Sequence, residues 1–94
     1  MKLSDFQKKI EAIYFEKDKA RGLQGTYMWF AEEVGELTRA LRRDDDPENL
    51  KEEFADVLAW LATLASIKGI DLDECVELKY GNGCPYCSKT PCAC

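Results

Sequence analysis

The sequence lacks any apolar run that approaches the ~20 residues needed to cross a membrane. Its most apolar stretch, residues 57–70, is interrupted by Thr63, Ser66 and Lys68, so we expect no membrane partner. The N-terminal residues include acidic side chains and no apolar signal-peptide segment. We therefore expect a cytoplasmic protein.

Basic residues are also in deficit, since 13 Lys and Arg stand against 18 Asp and Glu and give a net charge of −5. Binding to a nucleic-acid backbone requires clustered Lys and Arg on an exposed surface. We therefore expect no nucleic-acid polymer as the main partner. A phosphate group that approaches so acidic a surface needs a cation between the two.

Glycine and proline are few, with 6 Gly and 3 Pro in 94 residues. Residues 1–80 are rich in helix formers with strong apolar periodicity, whereas the Gly- and Cys-rich residues 81–94 add little to a core. We expect an all-α fold: a small antiparallel helical bundle over residues 1–80, followed by a short Cys-rich tail. Because so short a bundle buries little apolar surface, we expect its completion by oligomerisation, as a homodimer or homotetramer.

Capping signals divide residues 1–80 into four predicted helices. Ser, Thr and Asp side chains cap helix N-termini, proline favours the first helical position, and glycine ends helices. By these signals Ser4 and Gln7 form a capping box. Thr26, Asp46 and Asp71 begin the other helices, and Gly69 ends the third. The first predicted helix runs from Ser4 to about Ala20 and ends near Arg21-Gly22. The others run from Thr26 to Leu41 or Arg42, from Pro47 to about Lys68 and from Asp71 to Tyr80.

Two segments repeat one acidic helical pattern. At about 100° per residue, the apolar residues of each segment fall on one helix face. These residues are Phe30, Val34, Leu37 and Leu41 in the first segment and Leu50, Phe54, Val57 and Leu61 in the second. Four carboxylates lie beside the apolar stripes: Glu33, Glu36, Glu53 and Asp56. If the stripes pack together, the carboxylates converge, and like charges at close range raise one another's pKa or require a cation. Oxygen ligands of this kind suit Mg²⁺ or Mn²⁺.

The acidic repeat also has a simpler interpretation, since Glu is a good helix former and Glu pairs on exposed faces are usually solvated. The helical phase weighs against it. Glu32 and Glu52 lie roughly opposite the apolar stripe, whereas Glu33 and Glu53 border it. Periodicity alone leaves both a metal site and a solvated surface open.

Trp29 and Trp60 likewise have two interpretations. Large indoles in a small bundle usually belong to the core, but an organic substrate beside the carboxylates would need an aromatic surface to stack on. Either tryptophan is therefore a candidate substrate-binding residue.

The two acidic segments resemble the signature of a known family. Glu32-Glu33-Val34-Gly35-Glu36 is similar to the EExxE motif, and Glu53-Phe54-Ala55-Asp56 to the ExxD motif, of the MazG family of nucleoside triphosphate pyrophosphohydrolases. This family is part of the all-α NTP pyrophosphatase superfamily, and the resemblance covers residues from about 26 to 82. It implies magnesium-dependent hydrolysis of a ribo- or deoxynucleoside triphosphate to the monophosphate and pyrophosphate. It also raises the expectation of a role in nucleotide-pool housecleaning.

The resemblance implies roles for individual residues. It implies four ligands of Mg²⁺ (or Mn²⁺): Glu33, Glu36, Glu53 and Asp56. Glu32 would be a further ligand or a base that orients the attacking water, so Glu32 and Glu33 are the candidate catalytic residues. Lys79 and Asn82 match positions that in relatives contact the phosphate and the base. This chain departs from the family after Asn82, where cysteines replace the basic residues that often follow.

Four cysteines lie within eleven residues of the tail, as Cys84-Pro85-Tyr86-Cys87 and Cys92-Ala93-Cys94. Four such thiols can bind one tetrahedral, structural Zn²⁺ and thereby order a tail that has no core. Two disulfides, a glutaredoxin-type redox motif and an unstructured tail are the alternatives. Cys75 falls on the apolar side of the short fourth helix, and we expect it in the core.

A second class of function also fits the sequence. The chain would then be a non-catalytic oligomeric helical module, whose acids bind a structural ion or none and whose zinc-binding Cys-rich tail docks a partner. The presence of all four family carboxylates favours the enzyme.

Overall fold

The computed structural model describes residues 1–94 and contains three helices and no strands. α1 spans Leu3–Arg43, α2 spans Pro47–Ile67 and α3 spans Leu72–Tyr80. α2 packs along α1, and α3 makes fewer contacts with α1 than α2 does. The all-α fold and a cysteine cluster near the C-terminus are confirmed. None of these helices is at once long and apolar enough to cross a membrane.

α1 is sharply bent at Gly22. A straight helix of its 41 residues would be about 60 Å long at 1.5 Å per residue, whereas the longest dimension of the molecule is 42 Å. Gly22 has φ 77° and ψ 179°, a conformation that residues with a Cβ rarely adopt. The bend divides α1 into an N-terminal arm, residues 3–21, and a C-terminal arm, residues 23–43.

This bend replaces the predicted gap between the first two helices. We predicted a break of several residues with Thr26 as the next N-cap, and both predictions are wrong, because only Gly22 leaves the helical conformation. Thr26 is fully buried, and its hydroxyl donates a hydrogen bond to the Gly22 carbonyl oxygen at 2.7 Å. Because glycine makes the turn within one residue, the Thr26 hydroxyl donates to the carbonyl oxygen at the bend and does not cap a helix N-terminus.

The predicted Ser4–Gln7 capping box is also wrong. α1 begins one residue earlier, at Leu3. There the Asp5 carboxylate accepts a hydrogen bond from the Lys2 backbone amide at 3.2 Å. An acidic side chain in the first helical turn suits the exposed amides and the dipole of a helix N-terminus.

Gln7 instead connects the N-terminal arm to the segment between α2 and α3. It is buried, with 6% of its surface exposed. Its amide nitrogen donates to Ser66 Oγ (3.1 Å) and to the Ile70 carbonyl oxygen (2.8 Å). Its amide oxygen accepts from the Leu72 backbone amide at 2.9 Å. One polar side chain thus joins the N-terminal arm of α1 to the end of α2 and the start of α3.

The other predicted helix ends are confirmed. The Asp46 carboxylate accepts from the Asn49 backbone amide at 3.1 Å, which caps α2. The Asp71 carboxylate accepts from the Glu74 backbone amide at 3.1 Å, which caps α3. Gly69 has φ 69°, the left-handed conformation in which helices commonly end.

Few side chains are fully buried, and Ala62 is the one apolar residue among them. Several large apolar side chains keep about half or more of their surface exposed, including Met28 (72%), Trp29 (49%) and Phe54 (52%). Isolated exposed apolar residues are normal, but so many on a small bundle leave it with little core of its own. Completion of the bundle by a second copy therefore stays a prediction.

Candidate metal centre and adjoining cavities

Three carboxylates meet where the C-terminal arm of α1 packs against α2. Glu33 comes from α1, and Glu53 and Asp56 lie about one turn apart on α2. One carboxylate oxygen from each lies within 4.8 Å of the other two. Oxygen atoms that share one divalent cation, each about 2.0–2.6 Å from it, are separated by at most about 5 Å. We call Glu33, Glu53 and Asp56 the acidic cluster.

Two oxygens of the acidic cluster have no partner in the protein. Glu33 Oε2 and Glu53 Oε2 are buried atoms of half-buried residues, and neither accepts a hydrogen bond from a donor group of the protein. Neither ion pair of the chain involves the cluster. A buried charged oxygen without a partner is strongly unfavourable. A divalent cation would satisfy both oxygens at once, so these residues fit Mg²⁺ or Mn²⁺.

The electrostatics of the cluster agree with this fit. Burial, followed by the adjacent carboxylates of Glu36, Asp56 and Glu53, raises the pKa of Glu33 to about 7. Burial and the neighbouring Glu36 and Asp56 also raise the pKa of Glu53. Without a cation, the cluster therefore resists full ionisation near neutral pH, and a bound cation would reverse this effect.

Glu36 and Glu32 differ in their relation to the cluster. Glu36 is half-buried and close enough for its charge to act on Glu33 and Glu53, although it lies outside the set of mutually close oxygens. Glu32 is exposed on the same helix. The fold thus brings three of the four predicted ligands together and keeps the fourth beside them.

Trp60 lines a cavity that reaches the acidic cluster. Its ring stacks on Trp29 with 6.1 Å between ring centroids and 11° between ring planes. The Arg21 guanidinium lies 4.7 Å from the centroid of the Trp60 ring. The cavity has a volume of about 260 Å³, and Tyr14, Arg21, Trp60 and Asp56 are among its lining residues. We call it the aromatic cavity; Trp29 supports Trp60 but does not line it.

A larger cleft of about 610 Å³ lies at the connection between α1 and α2. Its polar lining consists of four acidic residues, two arginines and one asparagine: Glu36, Asp45, Asp46, Glu53, Arg39, Arg43 and Asn49. We call it the arginine cleft. These arginines were not among the predicted site residues, although Arg39 and Arg43 follow Glu36 by three and seven residues and so share its helix face. That spacing was the signal that could have identified them.

Comparison with protein families matches residues 21–86 to the MazG nucleotide pyrophosphohydrolase domain. This match covers more than half of the chain. The chain belongs to the MazG family. The resemblance seen in the acidic motifs is thereby confirmed, and it places the protein in a family of hydrolases that act on nucleotides. No curated protein sequence matches the chain.

Some features of the chain lie within the residues of the MazG match, and others lie outside them. The acidic cluster, both tryptophans and the arginine cleft lie within residues 21–86. Most of the N-terminal arm precedes the match, so the Tyr14 side of the aromatic cavity comes from outside it. Three of the tail cysteines follow the match: Cys87, Cys92 and Cys94.

Lys79 and Asn82, the two remaining predicted substrate contacts of the MazG domain, line neither the aromatic cavity nor the arginine cleft. Both are exposed. The Lys79 ammonium lies 5.6 Å from the centroid of the adjacent Tyr80 ring. Their roles as phosphate and base contacts stay predictions.

The tail cysteines come together, whereas Cys75 stands apart. The sulfurs of Cys84, Cys87, Cys92 and Cys94 all lie within 4.8 Å of one another. Hydrogen bonds from the backbone amides that follow it lower the pKa of Cys87 to about 6, and the neighbouring sulfurs raise the pKa of Cys94 to about 11.

The expected core position of Cys75 is wrong. Cys75 is exposed, because α3 packs only lightly on the bundle and leaves its own apolar side chains in solvent. Leu78, on the same helix, is 90% exposed.

Proposed function

We propose that this MazG domain is a Mg²⁺-dependent (or Mn²⁺-dependent) nucleoside triphosphate pyrophosphohydrolase. It would cleave between the α and β phosphates and release a nucleoside monophosphate and pyrophosphate, in a cytoplasmic role of nucleotide-pool housecleaning. The observation that carries the proposal is the pair of buried, unpartnered oxygens of Glu33 and Glu53 within a three-carboxylate cluster. Family membership supports the nucleotide as substrate.

Glu33, Glu53 and Asp56 would hold the metal, with Glu36 as a fourth ligand. Bound Mg²⁺ would supply charge neutralisation on the phosphoryl oxygens and on the leaving pyrophosphate. The carboxylates are gathered by helix packing before any ligand arrives, which reduces the free energy needed to organise the site. Two carboxylates are candidates for accepting the proton of the attacking water: Glu33, at the cluster, and Glu32, beside it on the helix.

The two cavities beside the acidic cluster suit the two ends of a nucleoside triphosphate. The aromatic cavity offers Trp60 and Tyr14 as surfaces for a base, and it borders the cluster at Asp56. The arginine cleft offers Arg39 and Arg43 for phosphate oxygens and borders the cluster at Glu53. We propose that the base occupies the first and the terminal phosphates occupy the second. The scissile bond would then lie near the metal ligands.

The proposal is tested by pyrophosphate release from a panel of ribo- and deoxynucleoside triphosphates with Mg²⁺. We expect release by the native chain and a loss of at least about 100-fold in Glu53→Gln, since removing a metal ligand exceeds the 10–100-fold typical of outer-shell changes. Glu52→Gln is the matched control, because Glu52 is the exposed neighbour on the same helix and its loss should change the rate little.

The same assay distinguishes the proposed enzyme from the non-catalytic module. Intact triphosphates throughout, from a folded native protein supplied with Mg²⁺ or Mn²⁺, would favour the module. Equal losses in Glu53→Gln and Glu52→Gln would argue against the acidic cluster as the catalytic centre. Glu32→Gln then addresses the base: a lower rate with unchanged Mg²⁺ dependence would assign the proton-accepting role to Glu32.

We also propose that the active form is a homo-oligomer, a homodimer or homotetramer. The support is the exposed apolar surface of a bundle in which Ala62 is the one fully buried apolar side chain. Light scattering coupled to size-exclusion chromatography should give a mass of two or four times 10.7 kDa. A monomeric mass at micromolar concentration would contradict this proposal.

A further inference from the structure

The four tail cysteines form a second, independent candidate site. We propose that Cys84, Cys87, Cys92 and Cys94 bind one structural Zn²⁺ in a closed tetrahedral site that folds residues 81–94 into a compact C-terminal module. The inference does not depend on the proposed catalytic function, because no residue of the acidic cluster or its cavities takes part.

The distances between the sulfurs fit one zinc ion. All four sulfurs lie within 4.8 Å of one another, and the Sγ atoms of Cys84 and Cys94 are 3.8 Å apart. Two sulfurs bound tetrahedrally at about 2.3 Å from Zn²⁺ are separated by about 3.8 Å. A disulfide would require about 2.05 Å, and all four thiols are free.

The backbone is arranged around the sulfurs as a ligand loop requires. The Ala93 amide donates to Cys87 Sγ and the Cys94 amide donates to Cys92 Sγ, each at 3.3 Å. Amide donors to sulfur stabilise the thiolate form that binds metal and fix the orientation of the ligands. Sulfurs of two of the four cysteines are therefore already supported by hydrogen bonds.

A tight turn brings the two halves of the motif together. The Ser88 amide donates to the Cys84 carbonyl oxygen at 2.7 Å, and the Cys84 amide donates to the Lys89 carbonyl oxygen at 3.2 Å. Ser88 has φ 61°, an uncommon left-handed conformation for a residue with a side chain. This turn encloses the first cysteine pair, and the second pair lies close enough that all four sulfurs are within 4.8 Å of one another.

The tail has nothing else that could fold it. Residues 81–94 contain no helix or strand and no fully buried side chain, and Tyr86, the largest apolar group, is 86% exposed. A segment of this length without a core needs a metal or other cross-links to hold one conformation. Four thiol ligands leave no open coordination position, which is typical of structural zinc and not of catalytic zinc.

The cysteine site and the acidic cluster would bind different metals because their ligand atoms differ. Thiolates select Zn²⁺ over Mg²⁺, whereas the carboxylates of the acidic cluster are suited to Mg²⁺ or Mn²⁺.

The Gly81 amide donates to the Glu77 carbonyl oxygen and the Gly83 amide to the Tyr80 carbonyl oxygen, each within about 3 Å. These bonds join the tail to the end of α3 without a flexible spacer, so zinc would also fix the C-terminus of that helix.

The test is the metal content of the full chain, purified under reducing conditions from cells supplied with zinc. We expect about one Zn²⁺ per chain, and X-ray absorption at the zinc edge should show about four sulfur ligands at about 2.3 Å. Cys87→Ser should lower the zinc content at least about fivefold. Cys75→Ser is the matched control, because Cys75 is the one cysteine outside the cluster and its loss should leave the content unchanged.

Several results would overturn the inference. Zinc-free protein with four freely titrating tail thiols, two disulfides in the reduced preparation, or a mixed nitrogen and oxygen coordination in the absorption spectrum would each exclude the proposed site. An equal loss of zinc in Cys75→Ser and Cys87→Ser would do the same. The absorption measurement uses the native chain, so the test does not depend on the folding of any variant.

Discussion

Replacing Glu33 with Gln should stabilise the protein when no divalent cation is present and abolish its stabilisation by Mg²⁺. Burial and the neighbouring carboxylates raise the pKa of Glu33 from 4.5 to about 7. The folded state therefore binds this proton more tightly than the unfolded state does. The stabilising contribution of the protonated form is fully present below about pH 4.5 and is lost as the pH rises through about 7. A Gln at position 33 carries no charge, so the variant does not lose this stabilisation as the pH rises.

The size of the effect follows from the same shift. At about 1.36 kcal/mol per pKa unit, a change from 4.5 to about 7 corresponds to about 3 kcal/mol at most. Glu33 is only half-buried, and solvent screening reduces the value to roughly 1 kcal/mol. For a chain of this size that amount raises the melting temperature by about 4–8 °C.

The assay is thermal melting of the native chain and Glu33→Gln at pH 5 and pH 8, in buffer freed of Mg²⁺ without a chelator, so that the cysteine tail is undisturbed. The variant should melt higher at pH 8, with a smaller difference at pH 5. Mg²⁺ at about 100 times its Kd should then add about 2.7 kcal/mol to the native chain alone and reverse the order.

Glu32→Gln makes the same change of charge at an exposed position and should shift neither the metal-free stability nor the response to Mg²⁺ by much. A Glu33→Gln variant that melts no higher than the native chain at pH 8 without Mg²⁺ would refute the destabilising charge assigned to Glu33. A variant that gains as much stability from Mg²⁺ as the native chain does would refute its role as a metal ligand.

Two further substitutions test the packing and the substrate site. Gln7→Ala removes three hydrogen bonds to residues 66–72 and should lower the free energy of unfolding by about 2–3 kcal/mol in chemical denaturation. Gln24→Ala, at an exposed position, is the control and should change this free energy little. Equal effects of the two substitutions would contradict the role of the buried Gln7 amide. Arg39→Ala should reduce kcat/KM at least about tenfold, mainly through KM, because a charged contact to phosphate is lost. Arg42→Ala, a change outside the arginine cleft, is its control, and equal kinetics of the two variants would remove Arg39 from the substrate site.

The sequence predicted the parts of the fold that depend on local signals. The helix caps at Asp46 and Asp71 and the helix end at Gly69 were predicted correctly, since each depends on residues within one turn. The meeting of Glu33 with Glu53 and Asp56 agrees with the positions that helical phase predicts for them beside the apolar stripes. The stripes themselves are only partly buried, since four of their residues stay exposed: Val34, Leu41, Phe54 and Leu61.

The errors arose where a distant contact decides the structure. Gln7 was assigned to a helix cap because of its spacing from Ser4, but its partners lie about 60 residues away. Gly22 was recognised as a place where the helix would end, yet the positive φ that compresses the break into one residue is not visible in the sequence. The arginine cleft was missed because it exists only once the turn after Arg43 brings α2 back along α1.

The acidic cluster opposes the helix packing that creates it. Two buried oxygens without partners and three adjacent carboxylates destabilise the contact between α1 and α2, where apolar residues would be more favourable for stability alone. The stacking of Trp29 on Trp60 and the contact of Arg21 with Trp60 join the same two helices and act against this repulsion. The carboxylates are consequently held together in the absence of a cation. A metal that binds there would gain the full interaction with its ligands, with little of its binding free energy used to close the site.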